Sequence, residues 1–101
     1  MLSAYIVKWR NGPTMMKLDE TIGLMCSDDY KDRLKAEYLQ LAIRLQAAKN
    51  RWDKMEDRVS AEGGHLMEQI VAMKTYKHAL YKRLCDNDLF PDSLDAIVGK
   101  E

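Results

Sequence analysis

Little in this chain can break a helix. Glycine occurs five times and proline twice in 101 residues, and neither falls between Asp29 and Met55. Cysteine occurs twice, as Cys26 and Cys85, outside any C-x-x-C spacing. That pattern excludes a disulfide framework and predicts reduced, semi-buried thiols that behave as small hydrophobes. Net charge is absent as well. Sixteen basic and sixteen acidic residues cancel, so no global field holds nucleic acid through counterion release, and there is no acidic excess of the kind a DNA mimic needs. No apolar run approaches the roughly 20 residues that span a bilayer. The start, MLSAYIVKWR, has no basic region followed by a long apolar core, so the sequence predicts a cytoplasmic protein without a membrane segment or secretory signal. The phosphate-cradling patterns G-x-x-x-x-G-K-[ST] and G-x-G-x-x-G and the nucleophile pattern G-x-S-x-G do not occur.

What the chain does contain is helix-forming periodicity. Hydrophobic residues make up 47% and charged residues 32%, a balance that suits one small folded domain with no need of a metal or disulfide. The seam Leu34, Tyr38, Leu41, Leu45, Ala48, Trp52, Met55 and Val59 steps alternately by four and three, a coiled-coil type repeat. Ser27 reads as an N-cap ahead of Asp28 and Asp29, and Gly63-Gly64 reads as the reversal that ends the first long helix. A second seam follows through Leu66, Ile70, Met73, Lys77, Leu80 and Leu84. Asn87 and Asp88 interrupt it, Pro91 reads as a breaker, and Asp92 or Ser93 as the cap of a last short helix. The spacing thus predicts an all-α fold, a long antiparallel helical hairpin, coiled-coil-like, with short terminal helices. The expected helices are 18–26, 28–59, 65–86 and 92–98, within one helical domain over 15–101. Residues 1–14 read as an arm or a short strand; alternatively they extend upstream of an original start at Met15 or Met16.

Counting back from the glycines sets an expected register: Met55 beside Ile70, Trp52 beside Met73, Ala48 facing Lys77, Leu45 facing Leu80 and Leu41 facing Leu84. The first helix then overhangs the second by about ten residues, or about 15 Å at 1.5 Å per residue, exposing Tyr30, Leu34 and Tyr38. A further stripe on each helix (Ala36, Leu39, Ile43 and Ala47; Met67, Val71, Tyr81 and Cys85) adds apolar surface. Terminal segments or another chain must cover it, and the expectation is a homodimer.

Candidate chemistry is sparse. His78, Tyr81 and Cys85 share a helix face, but the sequence offers no four-ligand zinc spacing, and the carboxylate pairs read as helix-end residues rather than acid–base machinery. A thin hairpin also offers no deep cleft. The expectation is therefore a non-enzymatic protein with no cofactor and no metal. Lys74, Lys77, Lys82 and Arg83, with His78, form a stretch free of acid. The plain reading is a solvated helix face; the functional reading is a docking patch for an acidic partner. Aromatics and arginine carry interface energy most often, so Tyr30, Tyr38, Trp52, Lys74, Lys77, His78, Tyr81, Lys82 and Arg83 are the candidate partner-binding residues. Stacking of these aromatics on bases is the nucleic-acid alternative.

The stretch MKLDETIGLMCSDDYKDRLKAEYLQLAIRLQ resembles a family of small helical proteins of gut-bacterial phages and prophages, related to a short reading frame of crAss-like phages. The resemblance rests on Glu20-Thr21, Ile22, Leu24-Met25, Ser27, Asp29-Tyr30-Lys31, Arg33, Lys35-Ala36-Glu37-Tyr38 and Gln40. HLMEQIVAMKTYKHALYKRL, 65–84, looks like that family's second helix. The leader 1–14 and the tail after Asp86 do not match it. The family has no settled activity, so the resemblance implies a phage context. With the small size and absent chemistry, that context leads to the expectation of a phage-derived protein-binding factor. Its expected role is inhibitor of a bacterial defence system such as a CRISPR effector; the alternatives are a phage structural or assembly adaptor and a nucleic-acid-binding regulator.

Overall fold

The computed structural model describes residues 16–98, so the arm or strand expected over 1–14 lies outside the described residues. Within them the chain is helical and contains no strand: a 3-10 turn Leu18–Thr21, then α1 Ile22–Met25, α2 Tyr30–Lys54, α3 Ala61–Asp86 and α4 Pro91–Val98. The two long helices run antiparallel against each other, and the short segments pack mainly on α2. The expected helical hairpin with short terminal helices is the observed architecture.

The caps explain where α2 begins and ends. Its N-cap is Asp29, two residues later than the expected Ser27; its carboxylate accepts the Lys31 N–H at 2.9 Å. Ser27 acts one step upstream: its hydroxyl accepts the Asp29 N–H at 3.0 Å and donates to Asp32 at 2.8 Å. At the other end α2 stops at Lys54, not near Val59. The Arg58 guanidinium folds back and donates to the Trp52 and Asp53 carbonyls at 3.1 and 3.0 Å, satisfying acceptors that a helix end leaves open. Val59, expected as the last seam residue, is 97% exposed in the connecting loop.

Gly63-Gly64 is not the reversal. Both glycines lie in the first turn of α3, whose N-cap is Ser60; the Ser60 hydroxyl accepts the Gly63 N–H at 3.1 Å. Gly63 is required by proximity, because a Cβ there would sit 2.3 Å from the Arg58 carbonyl oxygen. The far end of α3 closes with the Asp88 N–H on the Cys85 carbonyl at 3.1 Å and the Leu89 N–H on the Leu84 carbonyl at 2.9 Å. Asp88 occupies the left-handed position of this C-terminal motif at φ 58°. Pro91 does not break anything; it is the first residue of α4, a position where a missing N–H costs nothing.

The earlier reversal, at 55–60 rather than 60–64, changes the register by about ten residues. Lys77 lies against Tyr38, with its ammonium 5.4 Å from the ring centre, rather than opposite Ala48. Arg51 pairs with Glu62 near the loop, and Arg83 donates to the Tyr30 hydroxyl at the other end. With 25 and 26 residues, the helices match in length and the expected overhang does not exist. Leu34, Tyr38 and Leu41 bury against Leu80 and Leu84, and Leu45 against Leu66 and Ile70. Most of the second stripe of α2 is covered within the chain: Ala36 is buried, Leu39 and Ala42 pack with Met16 and Val98, flanked by Leu24, Ile43, Leu94 and Ile97, and Ala47 stays exposed. Thr21, fully buried, secures the N-terminal segment by donating to the Leu18 carbonyl at 2.7 Å and accepting from Gln40 at 2.9 Å. On α3 the outer surface stays open, with Val71 and Tyr76 about half exposed.

Candidate functional site

The return of α4 onto the hairpin creates a cleft that a bare helix pair would lack. Leu94, Ile97 and Val98 anchor α4 by apolar contact, and its acidic side chains then face the basic stretch of α3. Two adjoining hollows result. One, of about 710 Å³, lies between α2, α3 and α4 and is lined by residues including Gln46, Lys49, Asp53, Lys77, Asp92 and Asp95. The other, of about 370 Å³, is lined by Tyr38, Leu45, Lys49, Lys74, Lys77, His78, Tyr81 and Asp95. Leu45, Lys49, Lys77 and Asp95 line both. The terminal helix supplies a third wall that the thin hairpin expected from the sequence lacks, and both hollows stay open to solvent.

At the boundary of the two hollows sits a charged triad. The Tyr38 hydroxyl donates to the Asp95 carboxylate at 2.9 and 3.0 Å, and the Lys77 ammonium lies 3.2 Å from the same carboxylate. Burial, then the Asp95 hydrogen bond and charge, push Tyr38 far above the ordinary tyrosine range. The Tyr81 hydroxyl donates to Asp92 at 3.3 Å, and the Asp92 charge raises its pKa too. The His78 and Tyr81 rings are stacked, 6.5 Å between centres and 18° between planes. Lys49 and Lys74 extend the positive lining on either side.

Five of the nine residues singled out from the sequence therefore meet in one place: Tyr38, Lys74, Lys77, His78 and Tyr81. The other four do not. Tyr30 and Arg83 pair with each other at the end of the hairpin away from the loop, the guanidinium 5.8 Å from the ring centre. Trp52 packs in the loop-end core with Arg58 over its ring at 5.4 Å, and Lys82 is exposed and lines neither hollow. Sequence reasoning misses Lys49, Asp92 and Asp95. Lys49 comes into view only with the shifted register; Asp92 reads as a candidate helix cap, and Asp95 carries no signal of its own until α4 is folded back. Both cysteines are exposed rather than semi-buried, and among the described residues no group of three His, Cys, Asp or Glu side chains could hold a metal ion. No helix among them is long and apolar enough to cross a membrane.

Comparison with known proteins adds a family. The family model described as Sequestin matches residues 28–86, a segment that runs from just before the N-cap of α2 to the end of α3 and covers more than half of the chain. The protein belongs to the Sequestin family. No curated protein matches it, and no solved structure does. The matched segment holds the α2 and α3 walls of the cleft; the α4 wall, with Asp92 and Asp95, lies beyond it.

Proposed function

Proceeding from that membership, we propose that the protein is a non-catalytic sequestering factor of phage origin. It holds a small anionic, ring-bearing ligand, of the phosphorylated metabolite or nucleotide class, in the cleft between α2, α3 and α4, and it thereby disables a bacterial defence system. One observation carries this reading: Lys49, Lys74 and Lys77 converge with Tyr38, His78 and Tyr81 around a single cavity. Ammonium groups neutralise phosphate as point charges, and aromatic faces stack on planar rings. The Sequestin name speaks of withholding rather than converting, and the likeness of 15–85 to small phage helical proteins supports the anti-defence setting. The hydroxyls in the cleft are Tyr38 and Tyr81, held by Asp95 and Asp92 with their pKa values raised, which makes them poor nucleophiles, so binding without turnover is the chemistry the residues suit.

The test is ligand recovery. The purified protein is mixed with a deproteinised extract of bacteria whose defence signalling has been triggered, then re-isolated and denatured, and the released small molecules are read by mass spectrometry. The expected result is an intact phosphorylated molecule from the wild type and none from a Lys49→Glu/Lys74→Glu variant of unchanged far-UV dichroism. Recovery of nothing, or of a converted product, would refute the proposal.

A second reading, occlusion of a host protein such as a CRISPR effector, draws on the exposed Val71, Tyr76 and Phe90. Capture of a defence nuclease that survives the Lys49→Glu/Lys74→Glu change would favour it. Self-association into a homodimer belongs with this second reading, since the overhang that called for it is gone and the exposed apolar side chains of the outer α3 face are among those left to pair; light scattering reads it directly.

A further inference from the structure

We infer that Asp95 is a built-in counter-anion of the cleft, a specificity-determining residue that an incoming anion must displace, so that the protein selects multiply charged ligands over singly charged ones. The inference rests on the anionic-ligand reading above and deepens it. Asp95 holds the position an anion would take: its carboxylate accepts from the Tyr38 hydroxyl through both oxygens, at 2.9 and 3.0 Å, and sits 3.2 Å from the Lys77 ammonium. The pair is about a quarter exposed on each side, 27% and 28%, close enough to solvent for exchange. Asp95 and Lys77 also line both hollows, so a ligand entering either one meets them.

Charge accounting then sets the selectivity. A monoanion that replaces the carboxylate at Lys77 exchanges one unit contact for another and loses its own translational freedom on binding. That trade gives little net affinity. A di- or trianion keeps the Lys77 contact and adds Lys49 and Lys74, which line the same cavity, whereas the Asp95 carboxylate is ion-paired with Lys77. Each further charge held within a few ångströms of an ammonium adds Coulomb attraction that the single carboxylate cannot match. Neutralising Asp95 should therefore strengthen anion binding, the reverse of what loss of an ordinary binding residue does.

The experiment measures affinities of the full chain for inorganic phosphate, pyrophosphate and tripolyphosphate by titration calorimetry at constant ionic strength, for the wild type and Asp95→Asn. Expected is a steep rise from phosphate to tripolyphosphate in the wild type. In Asp95→Asn, phosphate affinity should rise by about tenfold or more, which is 1.4 kcal/mol or more, and pyrophosphate and tripolyphosphate affinities should rise with it, because each anion is relieved of the same displacement cost. Tyr38→Phe keeps the carboxylate but removes its hydroxyl donor, so it should raise the affinities in the same direction by less; this variant serves if Asp95→Asn folds poorly. Unchanged or weaker anion affinity in both variants would overturn the counter-anion role and leave the cleft reading intact. Absence of binding by the wild type and both variants would overturn the cleft reading and this inference together.

Discussion

The seam between α2 and α3 is dry at its ends and charged in its middle. At the loop end Leu45, Leu66 and Ile70 bury together under Trp52 and three methionines, and at the other end Leu34, Leu80 and Leu84 close the hairpin. Between them Lys77, Tyr38 and Asp95 form a polar triad beside two cavities. The ends gain from removing apolar area from water. The middle gains little, because a partly exposed ion pair contributes about 0–1 kcal/mol. Such a triad would be a poor choice as glue, and an apolar residue could fill the same seam position. The contrast assigns folding to the ends and, on the proposed function, recognition to the centre.

Four measurements would break or sharpen that contrast. The largest effect is expected at the dry end: Leu84, at 0% exposure, changed to alanine should cost about 2–5 kcal/mol in denaturant unfolding. Lys77→Met, in the middle, should change stability by less than about 1 kcal/mol while abolishing tripolyphosphate binding. Equal costs at the two sites would dissolve the distinction.

Next comes the loop corner. Gly63→Ala would press a methyl against the Arg58 carbonyl and should destabilise by about 1–3 kcal/mol, as overpacking usually does. Gly64→Ala is the internal control, because a Cβ added there meets nothing within 4 Å.

A smaller effect is expected from pH. Tyr38 has a raised pKa in the folded protein, so its contribution is fully present below the unfolded value of about 10 and is lost as pH rises through the folded value. Unfolding midpoints should fall above about pH 10, and Tyr38→Phe should flatten that fall. The smallest shift is a gain. Asp88→Gly removes a side chain from the left-handed position at φ 58° and should stabilise by about 1 kcal/mol, read as a rise in thermal midpoint.

The periodicity of 34–55 and 66–84 is enough to show two antiparallel helices with short ends, because a four–three repeat has few other solutions. The loop is not legible in the same way, because its determinants are long-range. Arg58 carries no local stop signal, yet its guanidinium takes the last carbonyls of α2. The glycine pair, a strong turn signal by composition, serves instead a close approach between loop and helix. That one displacement moves the register by about ten residues and puts Lys77 on Tyr38 rather than opposite Ala48. The basic stretch on α3 is legible as a patch, and five of the expected aromatic and cationic residues do converge. Its acidic complement is hidden, because Asp92 and Asp95 become part of a site only when apolar Leu94, Ile97 and Val98 fasten α4 against α2.

The link between α3 and α4 is only Asn87 to Phe90, a tether that stretches to roughly 14 Å at full extension. A carboxylate on such a leash never diffuses away once evicted. It stays in the neighbourhood at an effective concentration of order millimolar, ready to retake its place the moment a guest loosens. Retention would then be governed less by how firmly the guest first lands than by how long it can keep every one of its charges occupied at once.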